Sequence, residues 1–228
     1  MIRLKAGYKP LLWMLAIPAL NIFYVLLNNE SGTVYNLAMP WDDRTPFWPL
    51  FIVPYLLWYP YVIGMLVLFC FRKRRVYYRT LLAICLGLVM SYLVYFFFQT
   101  TVPRPELSDR GLLHSLVAFV YATDAPFNCF PSIHVLTSYL VMKGMTDWRS
   151  PAGINHIAVQ FMSWSIIAST LFVKQHVILD VAGAILLAEF VFFMAGRWLR
   201  SKDQPEPMTL AADRYGASGF GNATMKEE

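Results

Sequence analysis

Apolar residues run along this chain in long stretches, and polar residues gather between them. A bilayer core about 30 Å thick needs roughly 20 apolar residues, at about 1.5 Å each, to be crossed by a helix. Runs from Leu11 to Leu27, Pro49 to Phe71, Thr80 to about Val102, Pro131 to about Met145, Ile154 to Val173 and Val177 to Leu199 predict six such helices. The fourth is the shortest, and Lys143 and Asp147 lie near its end, where long side chains can snorkel to the interface. The predicted fold is therefore all-α, a polytopic membrane helix bundle with six transmembrane helices. Between the third and fourth spans, Glu106 to Thr123 presents a broad apolar face (Leu112, Leu113, Leu116, Val117, Phe119 and Val120) beside Asp109 and Arg110. That segment reads as a helix lying on the membrane, or equally as a packed loop helix. From Ser201 onward periodicity is lost among Gly, Pro, Ser and charges. Residues 1–200 are thus expected to form the membrane domain and 201–228 a disordered tail.

Composition supports the spans. Hydrophobic residues make up 57% of the chain and charged residues 14%. Soluble domains carry about 45–50% and about 25%. Disorder, collagen-like repeats and a small disulfide scaffold are excluded. A net charge of +5 leaves a nucleic-acid partner open until the charges are sorted by side. Fifteen of the Lys and Arg residues then fall on the side of the termini, the Arg72–Arg79 connection and the fourth-to-fifth loop; four fall opposite, namely Arg44, Arg104, Arg110 and Lys174. Positive charge stays cytoplasmic. Both termini are expected in the cytoplasm, and nucleic acid is no longer indicated.

The first span, after Arg3, Lys5 and Lys9, resembles a signal peptide, but Asn28-Asn29-Glu30-Ser31-Gly32 offers no small-x-small cleavage pattern, so a retained span is expected. Trp41, Trp48, Trp58, Trp148 and Trp198 lie near predicted span ends and read as interfacial anchors rather than stacking groups. Asn222-Ala223-Thr224 fits a glycosylation sequon but falls on the cytoplasmic side. Of the three cysteines only Cys129 is on the outer side, and no Cys-x-x-Cys spacing is present.

Three polar clusters converge on the outer ends of the spans: Thr100 to Pro105, Asn128 to His134, and Ser169 to Asp180. In the second, Pro131 suits a first helical turn, which would hold Ser132 and His134. Free N–H groups at that end favour an anion such as phosphate. In the third, His176 and Asp180 are four apart and would share a helix face. A carboxylate there can fix the imidazole tautomer and leave the other nitrogen free to attack or take a proton. Arg104, between two prolines, offers a guanidinium suited to phosphate. Each has a plainer reading, as a Ser cap, a helix-tying His–Asp bond or a snorkelling Arg. No zinc-type spacing is present, so no metal and no cofactor are expected. Glu189, deep in the sixth span, is expected to hydrogen-bond another helix.

Arg104-Pro105, Pro131-Ser132-x-His134, Ser169, and His176-x-x-x-Asp180, in this order, resemble the type 2 phosphatidic acid phosphatase superfamily. The likeness runs from about Leu11 to Leu199. Three positions depart from the family pattern: Phe97 stands where it has Lys, Ile133 where it has Gly, and Thr170 where it has Arg. The relaxed cations are closer to the branch of inositol phosphorylceramide synthase and sphingomyelin synthase.

The resemblance implies a metal-free covalent mechanism at the outer membrane face. His176 would attack phosphorus, oriented by Asp180, and give a phosphohistidine. His134 would protonate the leaving alcohol and then activate the acceptor. Arg104, Ser132 and Lys174 would hold the phosphoryl oxygens. The expected activity is an integral membrane lipid phosphatase acting on a lipid phosphomonoester or diphosphate. One alternative is a lipid phosphotransferase or phosphodiesterase acting on a phospholipid head group. Another is a non-catalytic lipid-binding or transport protein. The expected location is multi-pass in a cell membrane, as in a bacterial cytoplasmic membrane. The partner is a lipid phosphate or phospholipid, and the oligomeric state is not legible.

Overall fold

A computed structural model describes residues 8–30, 32–107, 111–148 and 153–202. The long apolar runs are helices: α1 (Ala16–Leu27, entered by a 3-10 turn from Lys9), α3 (Ile52–Arg72), α4 (Arg74–Phe97), α6 (Ile133–Trp148), α7 (Gly153–Phe172) and α8 (Ile178–Lys202). Two short helices, α2 (Pro40–Arg44) and α5 (Leu112–Thr123), lie in the connections. Two-residue strands β1 (Tyr35–Asn36) and β2 (Thr100–Thr101) pair in parallel, Tyr35 opposite Thr100. Asp109, Arg110, Arg149 and the sequon lie outside the described residues, as does the expected tail beyond Lys202.

Two boundaries differ from the sequence reading. The third span begins at Arg74 rather than Thr80 and ends at Phe97 rather than Val102. Lys73 alone breaks the helix, and residues 100–101 are drawn into strand pairing. Pro131 precedes α6 instead of occupying its first turn. The Phe130–Pro131 peptide is cis, and Ser132 caps the helix by accepting from Val135 N–H at 3.4 Å.

Among the described residues, four stretches are long and apolar enough to cross a membrane: Lys9–Leu27, Pro49–Arg72, Arg74–Phe97 and Ile178–Ser201. The other two long helices fall short for physical reasons. Helix α6 has only 16 residues and packs against α3, α4, α7 and α8, so its surface meets protein and can carry Thr137 and Ser138. Helix α7 carries Asn155, His156 and Gln160 near its start. At the periphery, α1 buries only Ile17 and leaves Ile22, Phe23, Val25 and Leu26 outward.

Lipid tails are as apolar as leucine, so association in a membrane rests on close packing and interhelical hydrogen bonds. A Cβ on Gly87 would lie 2.8 Å from Leu136 Cδ2, so its absence lets α4 and α6 approach closely. Trp58 Nε1 donates to Thr137 Oγ1 at 2.7 Å, the Tyr61 and Ser163 hydroxyls share a bond at 2.7 Å, and Tyr92 OH donates to Asn21 Oδ1 at 3.2 Å. Each is worth roughly 0.6 kcal/mol in a membrane bundle. As expected, Glu189 reaches another helix: it accepts from Tyr139 OH at 2.7 Å and pairs with Lys143 Nζ at 2.9 Å, both on α6.

The connections at one end of the bundle form a cap. Gln99 Nε2 donates to the carbonyls of Leu27 and Asn29 at 3.1 and 2.8 Å, closing the end of α1. Helix α5 packs rather than floats: Val117 and Val120 are buried in a cluster with Ile52, Tyr55 and Val173, while Leu112 and Phe119 stay outward. This end also holds the starts of α6 and α8, and with them the polar clusters.

Candidate active site

The nucleophile candidate stands in a turn. After α7, Gln175 N–H and His176 N–H both donate to the Thr170 carbonyl, at 3.0 and 3.1 Å. Lys174 takes a left-handed backbone (φ 54°) to make that reversal. Helix α8 begins at Ile178, so His176 precedes it instead of sharing a helix face with Asp180. The contact is still made. His176 Nδ1 lies 3.2 Å from Asp180 Oδ2, and the same oxygen accepts Val177 N–H at 3.0 Å. Asp180 thus reaches back to cap its own helix, where the dipole favours a carboxylate. An acceptor at Nδ1 assigns that proton to Nδ1 and leaves Nε2 with its lone pair. The Asp180 side chain is 1% exposed and His176 is 9% exposed.

The second histidine comes from α6. His134 lies in the first turn, its ring stacked on Tyr55 (centroids 4.5 Å apart) and tilted against Trp58 (4.0 Å). Its centroid is 6.0 Å from that of His176. Trp58 is therefore no interfacial anchor. It lies seven residues into α3, where it seats a histidine, whereas Trp41, Trp48 and Trp198 are half or more exposed. Ser132 N–H donates to the Asp180 carbonyl at 3.3 Å and ties the starts of α6 and α8 together. Tyr95 OH donates to the Pro131 carbonyl at 2.5 Å, and the Phe130 ring fills the space a Cβ on Gly183 would need.

The expected phosphate ligands are close by but occupied. The Ser132 hydroxyl is fully buried as a cap. Arg104 donates to the carbonyls of Tyr121 and Asp124 and to Gln175 Oε1 at 3.1, 2.9 and 2.6 Å, and lies 4.5 Å over the Tyr121 ring. Its Nε is buried with no hydrogen-bond partner among the described residues. Burial pushes the Tyr121 phenol up to about 12, the Arg104 charge opposing, so its OH stays a donor to the Val173 carbonyl at 2.7 Å. Lys174 Nζ donates to the Asp42 carbonyl at 2.8 Å.

No local signal sets Asp42 apart from an ordinary polar loop. Its carboxylate accepts Met39 N–H and Ile178 N–H, each at 2.8 Å, so it caps both α2 and α8. Asp42→Ala is expected to lose the α8 cap, costing about 1 kcal/mol of stability. Turnover should fall more than substrate affinity, because His176 shifts with the helix start; thermal melts beside steady-state kinetics check both.

Two cavities meet at His176. One, about 290 Å³, is lined by Tyr24, Tyr55, Trp58, Phe119, His134 and His176. The other, about 300 Å³, is lined by Asp42, Asp43, Arg104, Lys174, His176 and Val177. The first is largely aromatic and opens among α1, α3 and α5. The second is charged and lies under α2 and the Val102–Pro105 segment. Cys129, His176 and Asp180 place three potential metal-ligating atoms within 4.8 Å of one another. Burial, and next the Asp180 charge, push the Cys129 thiol well up.

No protein-family model and no curated protein matches the sequence. Among solved structures, the chain is similar to the crystal structure of Aquifex aeolicus LpxE, at 18% identity and a TM-score of 0.50, over 80% of this chain and 95% of that one. LpxE is of the type 2 phosphatidic acid phosphatase family. At this identity the likeness speaks for the fold, and that fold is the one of the superfamily the sequence resembles.

Proposed function

We propose that this chain, built on the fold of a type 2 phosphatidic acid phosphatase-family enzyme, is an integral membrane lipid phosphatase. The observation that carries the reading is the His176–Asp180 pair facing His134 from a separate helix, at the inner end of an aromatic cavity. His176 Nε2 attacks phosphorus while the P–O bond to the lipid alcohol breaks. His134, protonated, gives its proton to the departing oxygen. Water then attacks the phosphohistidine from the His134 side. His134 takes its proton, the P–N bond breaks, and phosphate leaves with both histidines restored. Lys174 can swing Nζ from the Asp42 carbonyl on its four-carbon stem to meet the phosphoryl oxygens. Arg104 adds positive charge behind Gln175, and the capped start of α6 at Ser132 adds its dipole. These groups supply the electrostatics with no metal.

Residues 1–200 form the catalytic domain, with six spans, both termini in the cytoplasm and the site at the outer face of a bacterial cytoplasmic membrane; residues 201–228 form its tail. Helices α6 and α7 complete the set of spans: Thr137 and Ser138 on α6 and Ser163, Ser169 and Thr170 on α7 are buried in protein. Single cysteines replacing Arg44 and Lys73 are expected to label from opposite sides of sealed vesicles, and labelling from one side would refute this topology.

The charged cavity supports a second reading. It leaves room beside His176 for another substituent on phosphorus, as in transfer or hydrolysis of a phospholipid head group. The test is turnover of a lipid panel (phosphomonoesters, diphosphates and phosphodiesters) by purified protein in excess chelator, with products weighed by mass spectrometry. Inorganic phosphate is expected from the monoester or diphosphate lipids. A phospho-alcohol product would favour the second reading. Binding without any turnover would leave a lipid-binding or transport protein, and dependence on added metal would overturn the metal-free mechanism.

A further inference from the structure

The carboxylate that orients His176 is only half used. Asp180 Oδ2 meets His176 Nδ1 and accepts from Val177 N–H. Its other oxygen, Oδ1, is buried and has no hydrogen-bond partner among the described residues. A buried acceptor without a donor is costly unless a further group meets it.

Cys129 reaches the same spot from the connection between α5 and α6. It too is buried, and its Sγ makes a long 3.5 Å contact with the Pro126 carbonyl. One ligand atom from each of Cys129, His176 and Asp180 lies within 4.8 Å of the other two. A thiol, an imidazole and a carboxylate are the donor types that zinc takes. A tetrahedral set at zinc bond lengths spaces its ligands by about 3.3–3.6 Å, so side-chain movements of about 1 Å close this one. Zinc, thiolate, carboxylate and neutral imidazole sum to zero charge, which suits a buried site. Asp180 opposes a bare thiolate at Cys129, but a bound cation reverses that balance and displaces the thiol proton. His176 lines both cavities, so an ion has a way in from either.

We infer that Cys129, His176 and Asp180 bind a soft divalent cation of the Zn²⁺ type, and that the bound ion silences His176. The cation takes Sγ, Nδ1 and Oδ1, with water at the fourth position. The thiol proton goes to solvent. The imidazole proton moves from Nδ1 to Nε2, which then has no lone pair to offer phosphorus. Binding is independent of the catalytic reading; the silencing rests on it.

Cobalt, which occupies zinc sites and absorbs light, is the probe. The full-length protein is purified in detergent, reduced, stripped with chelator and titrated with Co²⁺. A thiolate-to-cobalt charge-transfer band is expected. Zn²⁺ should erase it, whereas Mg²⁺, a cation for oxygen ligands, should not. Cys70→Ser with Cys85→Ser leaves Cys129 as the one thiol of the chain and should keep the band. Cys129→Ser should lose it. Losing a hydrogen-bond partner behind a metal ligand costs about 10–100-fold in affinity, so losing the thiolate itself is expected to cost about 100-fold or more. Lipid turnover with Zn²⁺ is then compared with the zinc-free rate of the same protein. It is expected to fall about tenfold or more in the wild type, and far less in Cys129→Ser at the same zinc concentration. No band in the variant with Cys129 alone, an equal band in Cys129→Ser, or undiminished turnover with the site filled would overturn the inference. A protein that shows the band yet turns over no lipid would fail the catalytic reading while upholding the cation site.

Discussion

Alanine at position 176 is expected to lower lipid phosphate turnover by at least about 10⁴-fold, and to abolish any phosphorylated enzyme trapped during turnover. The magnitude follows from the role. A nucleophile whose Nδ1 proton is held by Asp180 has only Nε2 to offer, and removing it removes the phosphohistidine route. The fold should survive. His176 sits in a turn, and Asp180 keeps its bond to Val177 N–H when the imidazole is gone. The checks are initial rates on the best lipid, acid quenching with radiolabelled phosphate, and a melting curve. Substantial activity in this variant, or label retained on another residue, would sink the covalent reading.

Glutamine at position 134 should cost about 10²- to 10⁴-fold, the range for losing a general acid, but unevenly across substrates. An alkyl alcohol leaves poorly without a proton, whereas a nitrophenolate leaves well without one. The loss should therefore be large for the lipid and small for a nitrophenyl ester in the first step. The second step needs the same imidazole as base, so phosphohistidine should accumulate and be seen as a burst. A histidine that served only to pack between Tyr55 and Trp58 would depress both substrates alike and leave no trapped intermediate. Equal losses on the two esters would argue for that structural role.

Much of this was legible because it is local. Apolar run length gave the long helices, and the four-residue spacing of His176 and Asp180 gave their contact, although a turn and not a helix delivers it. Pro131, Ser132 and His134 marked the start of α6. Other features left no local trace. Asp42 caps α8 from a loop more than 130 residues earlier, and nothing around it differs from an ordinary surface turn. Arg104 reads as a phosphate ligand, yet the Tyr121 and Asp124 carbonyls at the end of α5 and Gln175 from the α7–α8 turn meet its guanidinium. Trp58 looks like an anchor because its neighbours are lipid-type residues, and only the packing of α3 on α6 turns it toward His134. The weakest apolar run, Pro131 to Met145, is weak because it is the most enclosed helix, and its polarity reports burial in protein.

That enclosure has a bearing on how the protein is made. Of the helices around α6, only α3 and α4 precede it in the chain; α7 and α8 follow. His134 leaves the ribosome about forty residues before His176, on a helix poorly suited to face lipid alone. His176 itself lies between α7 and α8. On the proposed function, a chain that stops anywhere before residue 176 therefore carries only half of the histidine pair.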